Sequence, residues 1–179
     1  MAGNDPWWRA SFARRRYSRS LENVEVVVSG IPYDCAVTNR SGCRLGPRAI
    51  RAGSTQLAEL KHFPFGFNPF DHLSVIDFGD CYLDPHHPQS VFITIEHHAD
   101  LIVGSDARML SLGGDHSVSY PLLKAHAKNM GRLRWFSLMR IVIHGRMMVR
   151  GLITVPCLHG LQMRALLMLR HQPNWTTHL

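Results

Sequence analysis

With 179 residues, of which 45% are hydrophobic, the chain has the composition of a soluble globular domain rather than of a disordered or fibrous protein. No apolar run is long enough to cross a bilayer, and the first residues lack the apolar centre of a signal peptide, so we expect a cytoplasmic location. The four cysteines have no zinc-type spacing, and we expect them to stay reduced there.

The formal net charge of +7 is distributed unevenly along the chain. Residues 1–130 contain all 13 acidic residues and 13 of the 20 Lys and Arg residues, so their net charge is zero. Residues 131–179 contain seven arginines and no Asp, Glu or Lys. Such a tail either favours contact with nucleic acid or an acidic membrane surface, or indicates a sequence that was never selected as protein.

The chain before this acid-free tail predicts alternating strands and helices. Its first strand is VEVVVSGIPYD, residues 24–34, which is apolar and β-branched like a buried parallel strand. The Asn, Ser and Gly residues that follow predict a loop, and Pro47 predicts the first turn of a helix. We expect this helix to turn Ile50, Leu57 and Leu60 inward.

Two further strands and two further helices complete the predicted pattern. LSVIDFGD, residues 73–80, predicts the second strand, and ARMLSLGG, residues 107–114, predicts the third. Between them, residues 88–103 predict a helix with one buried face. That face contains Val91, Ile95, Ala99 and Ile102. SVSYPLLKAHAK then predicts a helix capped by Ser117.

The order β-α-β-α-β-α predicts a parallel sheet with helices on both faces. Ligands of such sheets bind beyond the carboxyl ends of the strands, and the GGDH sequence occupies that position after the third strand. A histidine there is a candidate metal ligand, but a hydrolytic metal site needs several protein ligands that converge on the ion. His116 therefore requires partners from elsewhere in the chain.

The sequence LGGDHSVSYPLLKAHAK resembles the first metal-binding signature of the manganese-dependent ureohydrolases, the family of arginase and agmatinase. GIPYDCAVTNRSGCRLGPRAIR and SVIDFGD are similar to the N-terminal strand, loop and second strand of the agmatinase branch, as are ARRRYSR and FPFGFNPF. The resemblance covers residues 17–130. It implies an α/β fold, an arginase-like three-layer α-β-α sandwich with a parallel sheet, which is incomplete in this chain.

The resemblance also implies an activity, the hydrolysis of a small guanidino compound, agmatine, to putrescine and urea in polyamine biosynthesis. In that family two Mn²⁺ ions lower the pKa of a shared water and direct it at the guanidinium carbon, and imidazole and carboxylate groups suit Mn²⁺. The resemblance implies that His116 binds one ion and that the intact protein is a homo-oligomer with no nucleic-acid or membrane partner. It assigns no catalytic or substrate-binding residue here, because the family's Asp-Ala-His-x-Asp and Asp-x-Asp motifs are absent.

A one-base shift in the reading frame near Gly131 accounts for the missing motifs. Each codon of the original frame then consists of the last base of one tail codon and the first two bases of the next. Met-Met-Val at 147–149 therefore recodes to Asp-Gly. With one permitted codon chosen at each position, RLRWFSLMRIVIHGRMMV reads back as PLALVQFDAHSDTWPDDG. This segment contains the Asp-Ala-His-x-Asp motif. The shift also explains why the tail has no acidic residues.

Several polar residues before the tail have competing interpretations. Asp115 is either a carboxylate at a helix start or an outer-shell group of the metal site, and we favour an outer-shell or structural role. Asp77 and Asp80 are expected to shape the turn after the second strand rather than bind metal. FARRRYSR, residues 12–19, is interpreted as a solvated arm rather than an anion site.

Two pairs of adjacent histidines suggest a second metal site, but adjacent residues point apart, so we expect surface histidines. The pairs are His86 with His87 and His97 with His98. In the loop after the first strand, Asn39 and Arg40 either line a substrate entrance or form a turn, and we favour the turn.

The sequence thus divides into an N-terminal arm, residues 1–20, the N-terminal part of a ureohydrolase domain, residues 21–130, and an aberrant basic tail, residues 131–179. We expect the chain as translated to be inactive, because it supplies a single metal ligand. The alternative is a non-enzymatic protein whose arginine-rich tail binds nucleic acid or an acidic membrane surface.

Overall fold

The three predicted strands form one sheet in the structure, which is a computed structural model. The structure describes residues 10–37, 40–131, 135–143 and 146–153, and only the backbone in the last two ranges. By its contacts the chain divides into two units, 1–129 and 130–179.

The sheet of the first unit consists of three parallel strands, β1 (Val26–Ile31), β2 (Val75–Asp80) and β3 (Arg108–Gly113). Their order is β2-β1-β3, so β1 is central. Val27 and Val28 are completely buried, because neighbouring strands and layers enclose β1 on all sides. The predicted parallel sheet is confirmed.

Three helices flank this sheet: α1 (Gly46–Ser54), α2 (Val91–Val103) and α3 (Ser119–Met130). The predicted inner face of α2 is confirmed, because all four of its apolar residues are buried. Lysines of α3 form ion pairs with acids of α2, Lys124 with Glu96 and Lys128 with Asp100, each at 2.7 Å. These pairs join the two helices side by side.

Alternation along β2 places α1 and α2 on opposite faces of the sheet. Ile76 and Phe78 belong to a buried cluster with Ile102 of α2. Asp77, which lies between them in the strand, instead bonds to Arg51 of α1. Because successive side chains of a strand point to opposite faces, the sheet is the middle of three layers. The predicted sandwich is confirmed for this part of the fold.

The predicted inner face of α1 is wrong. Ile50, Leu57 and Leu60 are 43%, 58% and 59% exposed, and the helix itself ends at Ser54. The helix instead buries Arg51 and Ser54. A polar inner face is stable here because Arg51 pairs with the carboxylates of Asp77 and Asp80 in β2. Apolar periodicity in the sequence cannot reveal such a face.

Asp77 accepts hydrogen bonds from three separate parts of the chain. Its carboxylate accepts from Nε and Nη2 of Arg51 at 2.7 and 3.0 Å, from the amide of Phe12 at 2.7 Å and from the amide of Gly79 at 2.8 Å. Arg51 also bonds Asp80, and these hydrogen bonds outweigh the effect of burial and raise the pKa of the guanidinium. Asp77 thus joins α1 and the N-terminal segment to β2, and its local hydrogen bond, from Gly79, lies within the strand rather than in the turn after it.

The N-terminal segment packs on the edge of β2, so the prediction of a solvated arm is wrong for this stretch. Ala13 is 1% exposed, and its amide donates to Oγ of Ser54. Tyr17 forms a parallel bridge with Asp77. The amide of Ser18 donates to the carbonyl of Asp77, and the amide of Asp77 donates to the carbonyl of Arg16. A segment that pairs with an edge strand protects that edge from other chains.

The opposite edge of the sheet is β3. Within the residues that the structure describes, β3 pairs with β1 alone, and Leu110 is 43% exposed. The second unit contains an antiparallel pair, β4 (Trp135–Ile143) and β5 (Arg146–Ile153). Across the described residues, none of the helices has the length and apolar character needed to cross a membrane.

His98 is partly buried against the sheet, so the expectation of a surface histidine is wrong for it. Its Nε2 lies 2.6 Å from Oγ of the completely buried Ser29, and its ring packs edge-on against Phe78. Burial, together with the nearby charge of Arg19, lowers the pKa of His98 to about 4. The ring is therefore neutral at pH 7 and joins α2 to the sheet.

Removing the carboxylate of Asp77 should destabilise the fold strongly. The Asp77→Ala variant leaves the buried charge of Arg51 with only the partly exposed Asp80 as an acidic partner, which should cost up to about 3–5 kcal/mol of unfolding free energy. Glu59→Ala is the control, because Glu59 and Arg14 form an exposed pair at 4.0 Å, worth at most about 1 kcal/mol. Urea denaturation followed by circular dichroism measures both. Equal losses in the two variants would contradict this role for Asp77.

His98 should make stability depend on pH in a defined window. The folded state holds its pKa at about 4, below the ordinary value of 6.5, so the contribution of the neutral ring is complete above pH 6.5. This contribution is lost as the pH falls from 6.5 to about 4. Denaturation across that window should therefore show a weaker pH dependence for His98→Gln than for the parent chain. His97→Gln, at an exposed neighbour, should leave the parent slope unchanged.

Candidate active site

The loops that follow β1 and β3 lie next to each other at the carboxyl ends of the strands. The two strands are parallel neighbours that end at the same register position, with Ile31 paired to Gly113. The loop after β1 carries the predicted Arg40, and the turn after β3 carries Asp115 and His116. Parallel α/β sheets bind their ligands at these carboxyl ends.

Asp115 joins these two segments through both of its carboxylate oxygens. Oδ2 accepts the amide of Ala36 at 2.8 Å, and Oδ1 accepts the amide of Ser117 at 2.8 Å and the Ser117 hydroxyl. The amide of Asp115 donates in turn to the carbonyl of Tyr33 at 2.8 Å. Asp115 therefore caps the helical turn His116–Val118, and the prediction that Ser117 is the cap is wrong.

Gly114 allows the two segments to approach this closely. A Cβ atom at this position would overlap the carbonyl carbon and oxygen of Tyr33. The backbone of the turn therefore lies directly against the backbone of the loop, and any side chain at 114 would separate them. The second glycine of GGDH is thus required by packing between segments rather than by turn geometry alone.

Asp34 closes the base of the loop after β1. Its carboxylate accepts the amide of Gly42 at 2.6 Å and two hydrogen bonds from Nη1 of Arg44 at 3.0 and 3.1 Å. The Gly42 hydrogen bond, followed by those of Arg44, lowers the pKa of Asp34. Asp34 is not among the residues that the sequence pattern singles out, although its position at the start of a loop rich in turn-forming residues is a signal for such a role.

His116 is exposed at the end of β3, the position that the sequence predicts. Its Nδ1 lies 3.4 Å from Oγ of Ser119, one turn further along. Arg40 is also exposed, and Asn39 lies outside the described residues. The structure thus places His116 and the β1 loop at one edge of the sheet.

The other candidate residues lie apart from this edge or have other partners. Asp80 binds Arg51, as described above. His86 and His87 are exposed, as expected, and their Nδ1 atoms contact the carboxylate of Asp84 at 3.2 and 2.9 Å. Those contacts lower the pKa of Asp84, and the hydrogen bond with His87 has the largest effect. Cys81 is buried, and its burial raises the pKa of the thiol to about 11, so it is a poor nucleophile.

The described residues do not by themselves fit a metal ion. Nowhere in the described part of the chain do three or more His, Cys, Asp or Glu side chains converge in a way that could hold one. Asp115, the acid nearest to His116 in the sequence, already uses both oxygens to bind Ala36 and Ser117. It acts as a structural carboxylate, in agreement with one of its two interpretations.

Residues 24–138 of the chain match the model of the arginase family. The agmatinase of Chromobacterium violaceum is 58% identical over 122 residues, which are 68% of this chain and 38% of that protein. The agmatinase of Neisseria meningitidis serogroup B is 44% identical over 112 residues, 62% of this chain and 36% of that protein. The chain thus spans less than two fifths of the length of these relatives.

Solved structures show the same similarity. A hypothetical agmatinase from Burkholderia thailandensis is 60% identical, with a TM-score of 0.67 over 69% of this chain and 39% of that one. Proclavaminate amidino hydrolase from Streptomyces clavuligerus is 31% identical, with a TM-score of 0.61 over 69% of this chain and 41% of that one. Formiminoglutamase of Trypanosoma cruzi with Mn²⁺, at 21% identity and a TM-score of 0.56, shares the fold.

A methyl group at position 114 should separate the two loops. Gly114→Ala forces the Tyr33 carbonyl away and should cost about 1–3 kcal/mol of unfolding free energy, while the Ala36 amide exchanges faster with solvent. Gly53→Ala is the matched control, because nothing lies within 4 Å of a Cβ there and alanine favours the helix by about 0.5–1 kcal/mol. Chemical denaturation and amide hydrogen exchange measure both effects. A Gly114→Ala protein as stable as Gly53→Ala would refute the contact.

Proposed function

Since this chain belongs to the arginase family, we propose that it is the N-terminal part of an agmatinase-like ureohydrolase. The observation that carries the proposal is the 58% identity with the Chromobacterium violaceum agmatinase over 122 residues. The exposed His116 at the ligand-binding edge of the sheet supports it, because that is where a parallel α/β enzyme holds its substrate. The activity is the release of urea from a guanidino compound.

Agmatine, converted to putrescine and urea in polyamine biosynthesis, is the substrate that we propose. Relatives called agmatinase are 58% and 44% identical to this chain, whereas proclavaminate amidino hydrolase is 31% identical. Identity of this order favours a shared substrate over a shared reaction type alone. We also propose a cytoplasmic location and a homo-oligomeric state for the intact protein, in keeping with a small soluble substrate.

We propose that His116 is one ligand of a dinuclear manganese site. Within the described residues no group of three or more possible ligands converges, so further donors must come from elsewhere in the intact protein. Imidazole and carboxylate are suitable donors for Mn²⁺. Bound metal would supply activation of the attacking water. The residues of this chain would place one imidazole, on a turn that Asp115 holds rigid.

Residues 131–179 are, in this proposal, an out-of-frame translation of the next part of the enzyme. The absence of acids after Asp115 supports it, as does the read-back of an Asp-Ala-His-x-Asp motif from residues 138–143. The division of the chain into two units at Asn129 lies two residues before the inferred shift. The seven arginines of the tail would then have no function, which favours an enzyme fragment over a nucleic-acid or membrane-binding protein.

Restoring the reading frame should create metal binding and activity together. The chain as translated should bind no stoichiometric Mn²⁺ and release no urea from agmatine, since one histidine cannot offset the dehydration of the ion. A protein with the frame restored from Gly131 onward, including the downstream sequence of the gene, should do both. Its His116→Ala variant should lose metal, and its urea release should fall by more than about 100-fold.

Metal analysis and a urea assay on these three proteins decide the matter. His86→Ala in the restored protein is the matched control, because His86 is an exposed histidine that contacts Asp84 instead of lying at the β3 turn. It should retain both metal and activity. Urea release by the chain as translated, or full activity of the restored His116→Ala protein, would overturn the assignment.

A further inference from the structure

A cavity lies beside β2, where the N-terminal segment and α1 pack against this strand. Its volume is about 440 Å³, within the range of about 300–1,000 Å³ that is typical of small-molecule sites. The candidate active site follows β3, which is on the other side of β1. The lining of this cavity, which we call the β2 cavity, includes Ser11 and Tyr17 of the N-terminal segment, Arg48 and Arg51 of α1, and Asp77 and Asp80 of β2.

Two of the charges that line the β2 cavity belong to the ion pair that the fold itself uses. Arg51 and Asp77 are 7% and 1% exposed, and they are joined by two hydrogen bonds of 2.7 and 3.0 Å. Because each charge is neutralised within the protein, this pair fixes the shape of the cavity and leaves ligand binding to other groups.

Arg48 and Asp80 add two charges that the protein does not pair with each other. Arg48 is exposed, and among the described residues no carboxylate lies within ion-pair distance of its guanidinium. The side chain of Asp80 is 41% exposed. Its Oδ1 accepts a hydrogen bond from Arg51, whereas Oδ2 accepts none from the described residues. Both groups therefore retain hydrogen-bonding capacity for a ligand in the same cavity.

The ring of Tyr17 gives the β2 cavity an apolar wall. A Cβ atom at Gly79 would lie 2.8 Å from Cε2 of this ring, so the ring packs directly against the backbone of β2. The φ angle of Gly79 is +79°, which other residues rarely adopt. Aromatic walls with a few placed polar groups are characteristic of small-molecule sites.

We propose that the β2 cavity binds a small zwitterion, an α-amino acid with an apolar side chain. The charged residues that line it are two arginines and two aspartates, so a complementary ligand carries both charges and no net charge. The ligand's carboxylate binds Arg48, its ammonium group binds Asp80, and its side chain lies against Tyr17. A simple anion is repelled by Asp80 and a simple amine by Arg48.

The proposal is independent of the ureohydrolase chemistry. His116 and Asp115 follow β3 and do not line the β2 cavity. The chain as translated, which we expect to release no urea, should therefore still bind the amino acid.

The first test compares three probes that differ in their charged groups. L-Leucine should shift the amide signals of Ser11 and Gly79 in NMR spectra of the labelled full chain. Isoamylamine, which lacks the carboxylate, and 4-methylpentanoate, which lacks the ammonium group, should bind at least about tenfold more weakly, because each loses a charge-assisted hydrogen bond. Equal affinity for the three probes, or L-leucine shifts confined to other residues or absent, overturns the proposal.

The second test removes the charge of Arg48. Arg48→Gln should weaken L-leucine binding about tenfold and leave isoamylamine binding unchanged, whereas Arg48→Lys should retain most of the L-leucine affinity. Arg108→Gln is the matched control, because Arg108 is an exposed arginine at the start of β3 and does not line the cavity. It should change neither affinity. An Arg48→Gln protein that binds L-leucine like the parent chain contradicts the proposal.

The third test removes the charge of Asp80. Asp80→Asn should weaken L-leucine binding about tenfold and leave 4-methylpentanoate binding unchanged. Circular dichroism verifies that this variant is folded, because Asp80 also pairs with Arg51. Unchanged L-leucine affinity in the folded variant overturns the zwitterion assignment. If the variant does not fold, the Arg48 variants decide the proposal, since they break no ion pair of the described residues.

Discussion

The carboxylate of Asp77 is the group on which the rest of the fold depends. It lies in the middle of an edge strand, is 1% exposed and accepts four hydrogen bonds, from Arg51, Phe12 and Gly79. A buried carboxylate is stable only when it is paired and its lone pairs are satisfied, so these three partners are held in place together. Helix α1, the N-terminal segment and the end of β2 all contact this one group.

The candidate site has a similar arrangement after β3, the strand at the opposite edge of the sheet from β2. Asp115 bonds to Ala36 across 79 positions of sequence and caps the turn that begins at His116. The position of His116 therefore depends on a carboxylate whose two oxygens already accept hydrogen bonds from Ala36 and Ser117. In a sequence, an acidic residue next to a histidine suggests a metal site, but here Asp115 accepts hydrogen bonds from backbone amides. In the proposed metal site, the other donors would join a turn that Asp115 already caps.

Hydrophobic periodicity predicted the sheet and α2 well, because the buried faces there are apolar. Val91, Ile95, Ala99 and Ile102 are all inside, and all three strands lie within the predicted ranges. The method failed where the interior is polar. Arg51 replaced the expected apolar face of α1, and His98 bonds to the buried Ser29.

The GGDH turn was placed correctly at a strand end, since strand and helix patterns on either side of it determine that position. Its contacts could not be predicted in the same way. The Asp115 contact with Ala36 and the Asp34 contact with Gly42 join residues through side chains whose partners depend on the tertiary fold. Of the outer-shell and structural roles expected for Asp115, the structural one agrees with its contacts, although its partners follow only from the structure.

The central claim is that an enzyme of one family continues out of frame after Gly131, and the codons of residues 138–142 test it most directly. The Asp-Ala-His-x-Asp motif requires a codon that ends in G at Leu138, the codon CGC at Arg140 and the codon GTG at Val142. The account predicts all three in the nucleotide sequence. A different final base at Leu138 or Val142 would remove an aspartate, and a different Arg140 codon would remove the alanine or the histidine, so any such codon would contradict it.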